Sequence, residues 1–186
     1  MHKRFVLSIA VPLVLVAVGA NAQDKGQIGI TMGYPTSIGL IWHASDTVAL
    51  RPEFAFSHSS STGSSTATFA GSSSDSTTWQ GGISALLYVH KWDKASAYLT
   101  PRFSYSRLTS SNTQTYNGSS VTSSSTGNVY SIAGSLGAQY SLSRRFGVFG
   151  EAGIAYTDQT TSYPSSESKT KAWGTRAGVG VILYLH

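Results

Sequence analysis

The stretch LRPEFAFSHS, residues 50–59, places Leu50, Pro52, Phe54 and Phe56 on one side of an extended chain and Arg51, Glu53, Ala55 and Ser57 on the other. Successive side chains of a strand point to opposite faces. One face of this segment is therefore apolar and the other carries an arginine and a glutamate. A water-soluble sheet turns such charges outward and hides the phenylalanines, whereas a strand in a lipid-embedded barrel does the reverse. The alternation alone fits both arrangements, and the rest of the chain has to decide between them.

The N-terminus, MHKRFVLSIAVPLVLVAVGANA, has Lys3 and Arg4 as a basic start, an apolar run from Phe5 to Val18, and Ala20-Asn21-Ala22 as a small-x-small cleavage site. That order is the pattern of a secretory signal peptide; the apolar run is short for a helical span of about 20 residues and lacks a basic stop. Residues 1–22 are expected to be removed, leaving 23–186 as one domain. Without Lys3 and Arg4 the formal charge falls from +5 to +3, in single scattered residues. This charge pattern gives no footprint for nucleic acid. Cysteine is absent, so disulfides and thiolate metal sites are excluded.

Period-two alternation recurs along the mature chain, and a 3.6-residue period is nowhere sustained. It predicts eight strands, at about 26–34, 37–45, 47–58, 78–90, 95–108, 128–142, 145–157 and 171–185. Between them, tight connections at Ser45-Asp46, 91–94 and Ser143-Arg144 alternate with long Ser/Thr/Gly-rich ones at 60–77, 109–127 and 158–170. In an up-and-down topology all the long connections, expected as loops, fall at one end. Short turns at one end and long loops at the other are the polarity of bacterial outer-membrane barrels. There is also a repeat: residues 50–59 shifted by 49 land on LTPRFSYSRL (99–108), and shifted again on VFGEAGIAYT (148–157). The shift places Glu53, Arg102 and Glu151 at one position of the frame. A second frame joins ISALLYVH (83–90) to VGVILYLH (179–186).

One parity of these strands carries Leu50, Phe54, Phe56, Ile83, Leu99, Phe103, Leu136, Ile154, Val179 and Leu183; the other carries Arg51, Glu53, Thr100, Arg102, Ser104, Ser135, Gln139, Glu151, Arg176 and Gly178. As the skin of a soluble barrel the second set would be unusually poor in charge, at 11% of the chain. With the apolar set toward lipid, the polar set fills a narrow lumen, which eight strands can just enclose. A closed barrel also satisfies every backbone group within hydrocarbon. Aromatic residues support this orientation, because lipid-embedded barrels collect them at both interfaces. Trp79, Tyr105, Tyr130, Tyr156 and Trp173 fall near the long connections, and Trp42, Trp92, Tyr140 and Phe146 near the tight ones.

The signal peptide, the GEAGIAY stretch (150–156), the AGVGVILYLH ending (177–186) and the eight-strand layout together resemble the small outer-membrane β-barrels of Gram-negative bacteria, of the opacity, OmpA-transmembrane-domain and OmpX kind. The resemblance covers the mature chain and implies an outer-membrane location more firmly than any activity. The chain departs from the family in its ending. Such barrels usually close on an outward-facing aromatic, whereas this chain ends Tyr184-Leu185-His186, so either the insertion signal is degenerate or Tyr184 serves in a shifted frame.

The expected fold is thus an all-β, eight-stranded antiparallel up-and-down transmembrane barrel. Arg51, Glu53, Arg102, Glu151 and Arg176 are expected in its lumen as a network of ion pairs, since unpaired charges are costly in a low-dielectric interior. Two readings follow, a polar plug or an ion-selective pore, and eight strands favour the plug. His58 and Ser60 form a His-x-Ser on the lipid-facing parity at the outer rim. Lipid-A-modifying barrels place a hydrolytic His and Ser in a similar way, but no acid lies near in sequence to orient the base. His43, His90 and His186 are expected as exposed rim residues with no metal-selecting spacing. The sequence therefore points to a non-enzymatic barrel with no metal and no cofactor, in a structural or surface-interaction role. Its expected partners are outer-membrane lipids, lipopolysaccharide among them, and an extracellular or host ligand met by the loops. A narrow solute channel and a lipid-A hydrolase are the alternatives.

Overall fold

A computed structural model describes residues 25–35, 37–65, 70–116 and 119–185, so the expected signal peptide at 1–22 lies outside the described residues. Eight strands run in chain order: β1 (Ile28–Tyr34), β2 (Ser37–His43), β3 (Val48–Ser65), β4 (Ala70–Lys91), β5 (Ala95–Tyr116), β6 (Ser119–Ser141), β7 (Phe146–Tyr163) and β8 (Ser166–Leu185). Each pairs antiparallel with its neighbours in sequence, and β1 pairs with β8 from Ile28↔Leu185 to Tyr34↔Val179, closing the barrel.

The turns at the short end are held by local side-chain bonds. Ser45 Oγ accepts the backbone N–H of Val48 at 3.1 Å, and Ser143 Oγ accepts that of Phe146 at 3.1 Å. The Trp92 N–H reaches the Ala95 carbonyl at 2.7 Å across the third turn. Hydroxyl side chains commonly fasten turns in this way.

The other end departs from the sequence expectation. Segments 60–77, 109–127 and 158–170 are paired strand over most of their length rather than loops. The β3–β4 ladder continues to Ser65↔Ala70, the β5–β6 ladder to Tyr116↔Ser119 and the β7–β8 ladder to Tyr163↔Ser166. β4 and β5 also stay paired as far as Gly71↔Thr115. β3 to β6 therefore project together as a four-stranded blade, with the β7–β8 ribbon beside it. Thr113 and Thr122, directly opposite, bring their hydroxyls to 2.9 Å, and Thr115 and Ser120 theirs to 2.8 Å. Threonine is β-branched and suits a strand, and cross-strand hydroxyl pairs add to the ladder.

The wall has its apolar face outward. Phe54, Ile132, Leu136, Ile154 and Val179 are each more than half exposed, while Ile41, Leu86, Tyr98 and Ile182 inside the barrel are fully buried. Two glycines make room for lumenal rings. A Cβ on Gly137 would overlap the ring of Tyr98, its partner across the ladder, and one on Gly180 would overlap Phe149.

Candidate functional site

Strand alternation aims Arg51 and Glu53 of β3, Arg102 of β5, Glu151 of β7 and Arg176 of β8 into the lumen. Because β3, β5 and β7 are successive copies of the 49-residue frame, Glu53, Arg102 and Glu151 occupy equivalent places on alternate strands. The structure joins four of the five charges. Arg51 Nη2 lies 2.6 Å from Glu151 Oε1 and its Nε 3.3 Å from Glu53 Oε1; Arg102 Nη1 lies 2.5 Å from Glu53 Oε2. The Tyr98 hydroxyl donates to Glu151 Oε1 at 3.2 Å, and the Arg51 guanidinium stands 4.9 Å from the centre of the Phe149 ring. Arg51 is 1% exposed. Arg176 is half-buried and, among the described residues, has neither an ion pair nor a hydrogen bond.

Toward the short turns lies a second layer that the sequence reading missed. The Tyr88 hydroxyl donates to Gln139 Oε1 at 3.2 Å, and Gln139 Nε2 donates to the Tyr184 hydroxyl at 2.8 Å. The Tyr184 hydroxyl and His43 Nε2 are 3.4 Å apart, and the His43 and Tyr88 rings stack at 5.7 Å. Tyr88 meets Tyr98 edge-on at 5.5 Å, which connects the two layers. The usable signal was parity: Tyr88 follows Ser84 and Leu86, Tyr98 precedes Thr100 and Arg102, and Tyr184 follows Gly178 and Gly180 on the lumenal face. Tyr88 and Tyr98 were assigned to neither face, and Tyr184 was offered as an outward terminal aromatic in a shifted frame.

Two expectations are corrected here. His43 is not an exposed rim residue: it is fully buried in the lumen, because β2 alternates Gly39, Ile41 and His43 inward. Tyr184 cannot be the outward terminal aromatic, because its register opposite Gly29 turns it inward; the outward residues are Leu183 and Leu185. His90 is exposed and packs against Trp92 with ring centres 4.3 Å apart, whereas His186 lies outside the described residues.

The aromatic residues named for the interfaces lie on the outer face. Trp79, Tyr105 and Tyr130 form a continuous row with ring centres 5.3 and 5.0 Å apart, and Tyr156 and Trp173 pair at 5.1 Å. At the other end, Trp42, Trp92 and Tyr140 are exposed. His58 is exposed on the same outer side, with Nδ1 3.0 Å from the Thr77 hydroxyl. Asp75 stands opposite Ser60 in the ladder, but its hydroxyl partner is Ser73, at 3.5 Å. The three residues a hydrolytic relay needs are thus near one another without the bonds that would link them.

Curated protein sequences include no significant match to this chain. Among solved structures, the chain is similar to CarO of Acinetobacter baumannii at 15% identity, with 89% of this chain and all of that one covered and a TM-score of 0.40. It is likewise similar to Ail, the attachment invasion locus protein of Yersinia pestis, at 11% identity over 87% of this chain and all of that one, with a TM-score of 0.45. A major outer membrane protein from Thermus thermophilus is 10% identical over 86% of this chain and 98% of its own, with a TM-score of 0.49. The sequence profile of the outer membrane protein beta-barrel domain matches residues 8–186, nearly the whole chain. With the closed eight-stranded topology and the outward apolar face, that match places the protein in the outer-membrane β-barrel family.

Proposed function

We propose that this outer-membrane barrel is a sealed scaffold that carries Ser/Thr-rich β-ribbons outside the cell, in a structural or surface-interaction role and without catalysis of its own. The observation that carries the reading is Arg51, fully buried between Glu53 and Glu151 across the lumen. A guanidinium held by two carboxylates, next to a layer of hydrogen-bonded tyrosines, fills a bore that eight strands make only just wide enough for side chains. Buried ion pairs contribute little net stability compared with an apolar core, but breaking one is costly. This network therefore suits a device that fixes the strand register and blocks the bore. In this reading the partners are outer-membrane lipids, including lipopolysaccharide, around the wall, and an extracellular ligand on the ribbons. The N-terminal signal peptide directs export and is cleaved after Ala22.

Planar-bilayer recording tests the plug. The wild-type protein is expected to be silent, and Arg51→Ala combined with Tyr98→Ala to conduct. Steady wild-type current would favour the narrow solute channel instead. His58→Ala is expected to leave the host's lipid A unchanged; a loss of lipid A modification in that variant would favour the hydrolase.

A further inference from the structure

The first two strands are short, with seven residues each, while β3 and β8 on either side have 18 and 20. The β1–β8 ladder ends at Tyr34↔Val179, and β8 from Ser166 to Gly178 pairs only with β7. The β2–β3 ladder ends at Ile38↔Phe54, and above Phe54 β3 pairs only with β4. Among the described residues, the barrel wall therefore has a notch above the β1–β2 tip, bounded by the free edges of β3 and β8. Trp173, which pairs with Tyr156 at the outer aromatic interface, lies six positions from Val179 along β8. At about 3.3 Å per residue on a strand tilted by about 40°, the notch reaches roughly 15 Å below that interface. Omitting two strands at about 4.8 Å spacing makes it roughly 14 Å wide. With the long ribbons outside, it opens into the outer leaflet.

Its surroundings have a definite chemistry. Tyr34, Ile38, Phe54, Phe56, Trp173 and Val179 present an exposed apolar rim. Behind the rim is a cavity of about 10 Å³ lined by Tyr34 and Val179, by Arg51, Arg102 and Arg176, and by the carboxylates Glu53 and Glu151. The lumenal network contains three arginines against Glu53 and Glu151, so one positive charge is unbalanced. Arg176 is the arginine left without a partner among the described residues.

We infer that the notch is a binding site for an anionic membrane lipid, with its phosphate on Arg176 and its acyl chains along the apolar rim. Charge complementarity selects the headgroup, since a guanidinium matches phosphate oxygens in geometry as well as charge. The position of the notch favours an amphiphile over a free ion, because it opens beside the acyl layer, where a lipid arrives with its chains already along the apolar rim and a free ion has to leave water. The lateral opening lets the lipid enter from the leaflet.

The test uses the whole barrel in phosphatidylcholine vesicles, with Trp42, Trp79 and Trp92 changed to Phe so that Trp173 alone fluoresces. Brominated phosphatidylglycerol is expected to quench Trp173 with about five-fold preference over brominated phosphatidylcholine, the scale of one arginine facing an anionic lipid. Arg176→Gln should abolish the preference and Arg176→Lys should retain most of it. Lys171→Gln, which removes an exposed cation of the same strand already paired with Asp158, should leave it unchanged. A preference that survives in Arg176→Gln, or that vanishes equally in Lys171→Gln, would overturn the inference. Native mass spectrometry of the wild-type barrel gives a second reading that needs no folded variant. Lysophosphatidylglycerol should stay bound where glycerol phosphate and inorganic phosphate do not. Equal retention of inorganic phosphate would make this a free-anion site and sink the lipid.

Discussion

Arg51 and Glu151, one hundred positions apart in the chain, meet at 2.6 Å in the centre of the barrel, and each is almost wholly buried. Neither charge has water to turn to if the other is removed. Glu151→Gln is therefore expected to lower the unfolding free energy in urea, from detergent micelles, by about 3–5 kcal/mol. Glu167→Gln, which breaks an exposed pair with Lys169, should cost about 1 kcal/mol or less. Replacing both partners, Arg51→Met with Glu151→Leu, should recover most of the loss. A Glu151→Gln barrel as stable as wild type would refute the buried network.

Gly137 has no room for a side chain because the Tyr98 ring lies over it. Gly137→Ala is expected to destabilise the barrel by about 1–3 kcal/mol, the usual range for overpacking. The same change made in a Tyr98→Ala background should cost much less. Additive effects in the double-mutant cycle would mean that the ring does not pack where the structure places it.

Strand number, closure and the direction of each face were legible in the sequence, because Leu50, Phe54 and Phe56 alternate so cleanly with Arg51 and Glu53. The projecting blade was not. In segments such as 109–127, serine and threonine occupy both faces, so a strand there leaves no apolar-polar alternation to detect; its pairing is fixed by the opposite strand, which sequence periodicity does not report. The charges of the lumen were readable from parity and from the 49-residue repeat. Tyr88 and Tyr98 were placed on neither face although their parity is lumenal, and Tyr184 was considered only as the family's terminal aromatic, which outweighed its parity. The chain uses tyrosine both at its interfaces and, through a hydroxyl that can be satisfied internally, as filling for a narrow bore.

The outward face predicts its own mutational response. Leu136 is 67% exposed on the lipid side of β6, and Leu136→Arg should cost about 2–4 kcal/mol in a bilayer if it sits near the midplane. Val121 is 71% exposed on the projecting part of the same strand, which is expected in water, so Val121→Arg should change stability little. Equal tolerance of the two substitutions in lipid vesicles would place Leu136 outside the hydrocarbon.

The blade makes the most selective prediction, because its strands differ in how many neighbours they have. In an antiparallel pair, the N–H groups facing a given neighbour belong to alternate residues. Above Phe54, β3 is bonded only to β4, so alternate amides from Phe56 to Gly63 have no ladder partner and should exchange quickly. In β5 from Thr109 to Thr115 both neighbours are present, and consecutive amides should all be protected. β6 from Ser119 to Ser125 has β5 but not β7, whose ladder with it begins at Thr126↔Ser162, and should return to the alternating pattern. Residue-resolved hydrogen exchange by NMR in micelles reads all three segments in one experiment. Loops would exchange uniformly and fast in every segment. A sheet extended by a further strand would protect β3 and β6 as fully as β5. Only a four-stranded blade with two free edges gives alternation at its sides and full protection in its middle.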